Sequence, residues 1–124
     1  QSGRAAYAAS GLTPDDMDLL QLYDCFTPAL LIQIEDLGFC EKGEGGDWLA
    51  SGITLPGGSK PLNTHGGMLS YCHPGNPGAM FGLTEAITQM RGDAGERQVA
   101  GEPQVGYTHV YGAPGISGVN ILTR

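Results

Sequence analysis

Apolar positions recur along this chain with two different periods. The run Leu19-Leu20-Gln21-Leu22-Tyr23 is short and mostly apolar, which predicts a buried strand over residues 19–23. Leu30, Leu31, Ile34 and Leu37 fall on one face at helical spacing, and Met80, Leu83, Ile87 and Met90 repeat the pattern. Both predict core-facing helices. The first opens at Thr27-Pro28 and stops at Gly38; the second opens at Asn76-Pro77 and stops at Gly92, with Pro and Gly at the positions that start and end helices. An Ala-rich helix is expected over residues 4–9, capped by Gly11, and Thr13-Pro14-Asp15-Asp16 carries the signals of a single helical turn. Residues 105–111 and 118–123 read as two strands joined by a Gly/Pro turn that places them antiparallel.

Residues 39–63 behave differently. Repeated glycines surround Trp48, Ile53 and Leu55, an arrangement too irregular for a helix. A partly structured internal loop with room for a small hairpin is the expectation. Strand and helix segments otherwise alternate before the final strand pair, so the fold class is α/β, a layered mixed sheet.

Composition narrows the function more than the fold. The 124 residues suit one domain, and 40% apolar with 15% charged residues and a mean hydropathy of -0.12 argue for a chain that folds in water. No apolar stretch is long enough to span a bilayer, and the first ten residues carry no hydrophobic segment of the signal-peptide kind. Thirteen acidic against six basic residues give a net charge of -7 with no Lys/Arg cluster, which disfavours nucleic acid as a partner. Cys25, Cys40 and Cys72 are odd in number and show neither a disulfide framework nor zinc-like spacing, so a reducing cytoplasm is expected and a metal centre is not.

Chemistry concentrates in Asn63-Thr64-His65-Gly66-Gly67-Met68-Leu69-Ser70-Tyr71-Cys72-His73-Pro74-Gly75, where two histidines, a tyrosine and a thiol lie among glycines just before a helix. Gly66 and Gly67 permit close approach of a ligand or of another backbone, and His65 stands beside them. His73 falls next to the positive end of the following helix, where an imidazole can act as base or oxyanion donor.

The segment from Gly66 to Gly75 resembles the C-terminal signature of the thiolases, in which two glycines precede a Gly-His-Pro. Tyr23-Asp24-Cys25-Phe26 is similar to the Asn-Glu-Ala-Phe of thiolases and closer to the His-Asp-Cys-Phe of sterol-carrier-protein thiolases and related bacterial lipid-transfer proteins. Gly92-Asp93-Ala94-Gly95-Glu96-Arg97-Gln98-Val99 also resembles that subgroup. The likeness covers essentially the whole chain.

It implies the C-terminal half of a thiolase-like fold with helices on both sheet faces, acting on carbon-carbon bonds of coenzyme A thioesters. An N-terminal half would supply the nucleophilic cysteine, so none of Cys25, Cys40 and Cys72 takes that part. His73 matches the histidine that activates the nucleophile and binds the thioester oxyanion. Tyr23 stands at the Asn or His position of the oxyanion hole, and Tyr111 about where thiolases carry a second cysteine. Tyr71 joins them as a possible hydroxyl donor; Asp24, His65, Gly66 and Gly67 are expected on the substrate side. No bound cofactor is implied beyond the coenzyme A moiety of the substrate. The reaction expected is acyl transfer, with retro-aldol cleavage of a β-hydroxyacyl thioester or non-catalytic acyl or lipid binding as alternatives. Expected partners are an acyl- or steroid-coenzyme A, the N-terminal half, a second copy in a homo-oligomer such as a dimer, and a small OB-fold protein.

Overall fold

The computed structural model describes residues 1–75, 77–112 and 116–124. Helix α1 (Ser2–Ser10) ends at Gly11, whose φ of 73° lets its N–H cap the Tyr7 carbonyl. A 3₁₀ turn at Pro14–Asp16 follows, closed by a capping box between Thr13 and Asp16. The chain then enters strand β1 (Leu19–Leu22), helix α2 (Thr27–Asp36), two short helices α3 (Gly45–Ala50) and α4 (Gly67–Ser70), and helix α5 (Gly78–Arg91). Strands β2 (Val105–Tyr111) and β3 (Ser117–Thr123) complete it. No helix among the described residues is long and apolar enough to cross a membrane.

The sheet is mixed, in the order β1-β2-β3. β1 pairs parallel with β2, from Leu19 opposite Gly106 to Leu22 opposite His109, and β2 pairs antiparallel with β3. A parallel pair needs a crossover connection, which the segment carrying α2 to α5 supplies. The strand pair at the C-terminus matches the sequence expectation; residues 113–115 of its turn, like Asn76 before α5, lie outside the described residues.

Side-chain alternation along β1 divides the core in two. Leu20 and Leu22 join Tyr107, Ile34 and Leu37 on one face, with Tyr7, Trp48 and Phe39 packed around them. Leu19 points the other way, to Ala86 and Val99. Helices therefore cover both faces of the sheet, α1 and α2 on one and α5 on the other.

Two expectations change. The segment over residues 39–63 holds a helix, α3, where sequence alone predicts an irregular loop. Tertiary anchors explain it: the Glu35 carboxyl accepts the Gly45 N–H at 3.2 Å, and the Trp48 ring packs against Phe39 with centroids 6.3 Å apart. Of the apolar stripe of α5, only Met90 lies in the core. Gly78, Glu85, Ala86, Gln89 and Met90 are buried, whereas Met80 is 56% exposed and Leu83 and Ile87 are only half-buried. Small residues set this choice, because a Cβ at Gly82 would lie 3.2 Å from Gln21 Cβ and one at Gly106 only 3.0 Å from Met90 Sδ. The helix lies so close to the sheet that long apolar side chains fit better on its far side.

The polar residues of that buried face form one network. Glu85 Oε1 accepts from Thr64 at 2.7 Å and from Gln89 at 2.9 Å, and Oε2 pairs with Arg97 at 3.0 Å. Burial opposes ionisation of Glu85, but the bonds from Arg97, Gln89 and Thr64 outweigh it and hold its carboxyl below the ordinary value. A carboxyl depressed in the folded state stabilises fully above its unfolded pKa, and that contribution is lost as pH falls through the lower folded value. We predict that Glu85→Gln flattens the acid limb of thermal stability below about pH 4.5 relative to wild type. Parallel acid limbs in a scan of melting temperature against pH would contradict the network's role.

Candidate active site

The carboxyl ends of the parallel strands β1 and β2 are where an open α/β sheet offers a ligand crevice. Tyr23 follows β1 directly, and Tyr111 ends β2. His73 reaches Tyr23 from the loop linking α4 to α5. Tyr23 Oη and His73 Nε2 share a hydrogen bond of 2.7 Å, their rings edge-on with centroids 5.6 Å apart. Tyr111 stands edge-on to Tyr23 at 5.9 Å. A cavity of about 240 Å³ opens beside the group, lined by Tyr23, Gly75, Ala79, Tyr111, Gly112 and Ile116.

One further side chain belongs here that the sequence does not single out for this place. The Cys25 thiol donates to Tyr111 Oη at 3.8 Å. Its position two residues beyond Tyr23, on the turn leaving β1, was the available signal. All three cysteines are free thiols.

The electrostatics favour neutral phenols. Burial, reinforced by the neighbouring Cys25 and Asp24, raises the Tyr23 phenol above its ordinary value, and the Cys25 hydrogen bond followed by burial does the same to Tyr111. Both therefore stay protonated at neutral pH, suited to donating a hydrogen bond rather than to acting as a base.

Asp24 and the glycines form a clasp beneath this site. Asp24 is buried, and its Oδ1 accepts the Met68 N–H at 2.6 Å. A Cβ at Gly67 would fall 2.1 Å from Asp24 Oδ2, and Gly67 has φ of +65°. Gly66, at φ +104°, opens α4. The close approach read from the paired glycines is thus made by the chain's own carboxyl.

His65 and Tyr71 sit together, and His65 also lines a narrow cleft with Tyr23, Asn63 and Met68. The single turn of α4 buries Met68 and leaves Tyr71 61% exposed, packed edge-on against His65 at 5.5 Å and Phe81 at 5.2 Å. They line a separate cavity of about 360 Å³ with Thr88 and Arg97. Burial pushes the His65 imidazole below its ordinary value against the pull of Glu85 and Asp24, and neither ring nitrogen finds a hydrogen-bond partner among the described residues. No group of three or more His, Cys, Asp or Glu side chains is arranged to hold a metal ion among the described residues.

Comparison with known proteins places this geometry. The family model described as "Thiolase C-terminal domain-like" matches residues 1–124. An acetyl-CoA acetyltransferase of Methanothermobacter thermautotrophicus is 40% identical over 99% of this chain and 32% of its own length. The 17-hydroxy-3-oxo-4-pregnene-20-carboxyl-CoA lyase of Mycobacterium tuberculosis is 46% identical over 90% of this chain and 28% of its own. A solved structure titled "Ltp2-ChsH2(DUF35) aldolase" superposes with a TM-score of 0.84 at 37% identity, covering 98% of this chain and 31% of that one. The chain spans between about a fifth and a third of the length of the relatives it matches.

The clasp yields a test of local stability. Gly67→Ala places a methyl inside the Asp24 carboxyl and forces a positive φ on a residue with a Cβ, so a loss of at least about 1–3 kcal/mol is expected. Chemical denaturation of the variant at wild-type stability would show that Asp24 and α4 separate freely.

Proposed function

The chain belongs to the thiolase C-terminal domain-like family, and from that premise we propose that it forms the C-terminal half of an enzyme acting on carbon-carbon bonds of coenzyme A thioesters by thiolase-like acyl transfer. The observation that carries this reading is the 2.7 Å hydrogen bond between Tyr23 and His73 at the carboxyl ends of the parallel strands. Acyl transfer needs donors aimed at an oxygen that gains negative charge, and a neutral phenol paired with an imidazole supplies them. His73 binds the thioester oxygen and holds the nucleophile's proton; Tyr23 orients the imidazole. The nucleophile comes from the N-terminal half. Cys25, which donates to Tyr111, backs that phenol with a thiol and so helps it to act as a hydrogen-bond donor toward substrate.

A net charge of -7 offers little to the phosphates of coenzyme A. The rest of the full-length protein supplies those contacts and binds the thioester end to this half. The same part of the protein covers the outer stripe of α5, Met80, Leu83 and Ile87, which is apolar yet has no partner within this chain's core. Polar substitution at a truly exposed site changes stability by about 0.5 kcal/mol or less. We expect Ile87→Asp to destabilise the full-length protein by several times that amount, measured by denaturant unfolding; a neutral result would place this stripe in water.

Retro-aldol cleavage of a β-hydroxyacyl thioester is the second reading, favoured by the two phenols, Tyr23 and Tyr111, that face one cavity. Full-length protein assayed for coenzyme A-dependent cleavage of a β-ketoacyl ester and coenzyme A-independent cleavage of a β-hydroxyacyl ester separates the two. His73→Ala should abolish turnover in whichever assay is positive. Tyr23→Phe should lower kcat about 10²–10³-fold with KM little changed. Tyr71→Phe, altered in the same way but in the other cavity, is the comparison; an equal loss would return Tyr71 to the reacting groups. Binding of acyl ester without turnover in either assay would leave the chain as part of a lipid-binding protein.

A further inference from the structure

Tyr23 occupies an unusual backbone position. It is the first residue beyond β1, and the ladder stops at Leu22, whose N–H and carbonyl are both taken by the Asn63 side chain at 2.8 and 2.9 Å. The Tyr23 carbonyl lies past the last register pair of β1 with β2, Leu22 opposite His109, and accepts its hydrogen bond from Gln33 Nε2 of α2 at 2.6 Å. The same nitrogen donates to the Ala29 carbonyl at 2.9 Å. Gln33 Oε1 is met by His109 Nδ1 of β2 at 2.7 Å. Gln33 and His109 are each only 6% exposed.

This chain of contacts has one consistent assignment. Two carbonyls facing one end of the Gln33 amide require its NH₂ there, since the reverse orientation would set oxygen against oxygen. The amide oxygen must then accept from His109, so Nδ1 of His109 carries the proton. Both donors of the amide and its acceptor are used, and none of these atoms can turn to water without leaving a buried polar group unpaired.

We propose that Gln33 and His109 are positioning residues that hold the Tyr23 carbonyl and thereby aim the Tyr23 phenol at His73. The inference rests on the functional reading of the Tyr23–His73 pair. It adds two residues that touch neither His73 nor the cavity beside it. The phenol oxygen lies at the far end of a long side chain, so a backbone rotation of about 10° at Tyr23 displaces it by about 1 Å, a misplacement that can cost about 10²-fold in rate. His109 sets Gln33, Gln33 sets the Tyr23 backbone, and the backbone sets the hydroxyl.

The test uses the full-length protein and two readouts, the kinetic constants in the positive assay and the titration of His73 followed by NMR of ¹³C-labelled histidine. Tyr23→Phe gives the reference for a His73 without its phenol partner. Gln33→Leu and His109→Leu are expected to lower kcat about 10–10²-fold with KM within about threefold. In both, the His73 titration should move onto that of Tyr23→Phe. His109→Asn, whose amide nitrogen sits nearly where Nδ1 was, should restore kcat to within about threefold of wild type and return the His73 titration to its wild-type course. Gln33→Glu still accepts from His109 but offers no donor to the Tyr23 carbonyl; it should behave as Gln33→Leu does, and it decides the matter if the leucine variant does not fold. A His73 titration in Gln33→Glu that overlays wild type, or a Tyr23→Phe titration that does so, overturns the proposal. Wild type inactive in both assays would sink the functional reading, while the NMR comparison would still decide whether Gln33 and His109 aim Tyr23.

Discussion

The Asn63 side chain closes the open edge of β1 as a strand would, accepting the Leu22 N–H and donating to the Leu22 carbonyl. Just before it, Leu20 exchanges backbone hydrogen bonds with Pro61 and Asn63, the beginning of a ladder on that edge. Asn63 then takes a φ of 49°, a left-handed conformation that asparagine tolerates better than most residues. The ladder ends there and the chain leaves the sheet. This one amide thus closes the outer edge of β1 at its last residue and launches the segment that carries His73.

The consequences converge at the same end of the sheet. Once Tyr23 leaves the ladder, Asp24 turns inward against Gly67 and fixes the start of α4, while Gln33 takes the Tyr23 carbonyl. His73 and Tyr23, fifty residues apart, meet because both segments are tied to the last two residues of one four-residue strand. On the opposite face the Thr64–Glu85–Arg97 network holds the α4 loop to α5. The site is thus braced from both layers of helices.

The α5 helix turns its small and polar residues, with Met90, toward the sheet. Its other long apolar side chains point elsewhere. Met80, Leu83 and Ile87 leave an apolar strip that the core clusters among the described residues do not include.

The sequence by itself determined what depends on local chemistry. Gly11, Gly38 and Gly92 end their helices at φ values of 73°, 85° and 81°, where a residue without a Cβ is least strained. The apolar run at Leu19 marked β1, and the glycines at 66 and 67 with His73 carried the likeness to the family. Tertiary structure decided what depends on which surfaces meet. It selected the Gly82–Ala86 side of α5 over the apolar stripe, because interhelical and helix–sheet distance is set by the smallest residues in contact. It folded α3 through Glu35 and Trp48, which lie outside any local helix signal. It drew Cys25 to Tyr111, and it packed Tyr71 against His65 and Phe81. Periodicity reports that a face is apolar; only the packed partner reports which apolar face is used.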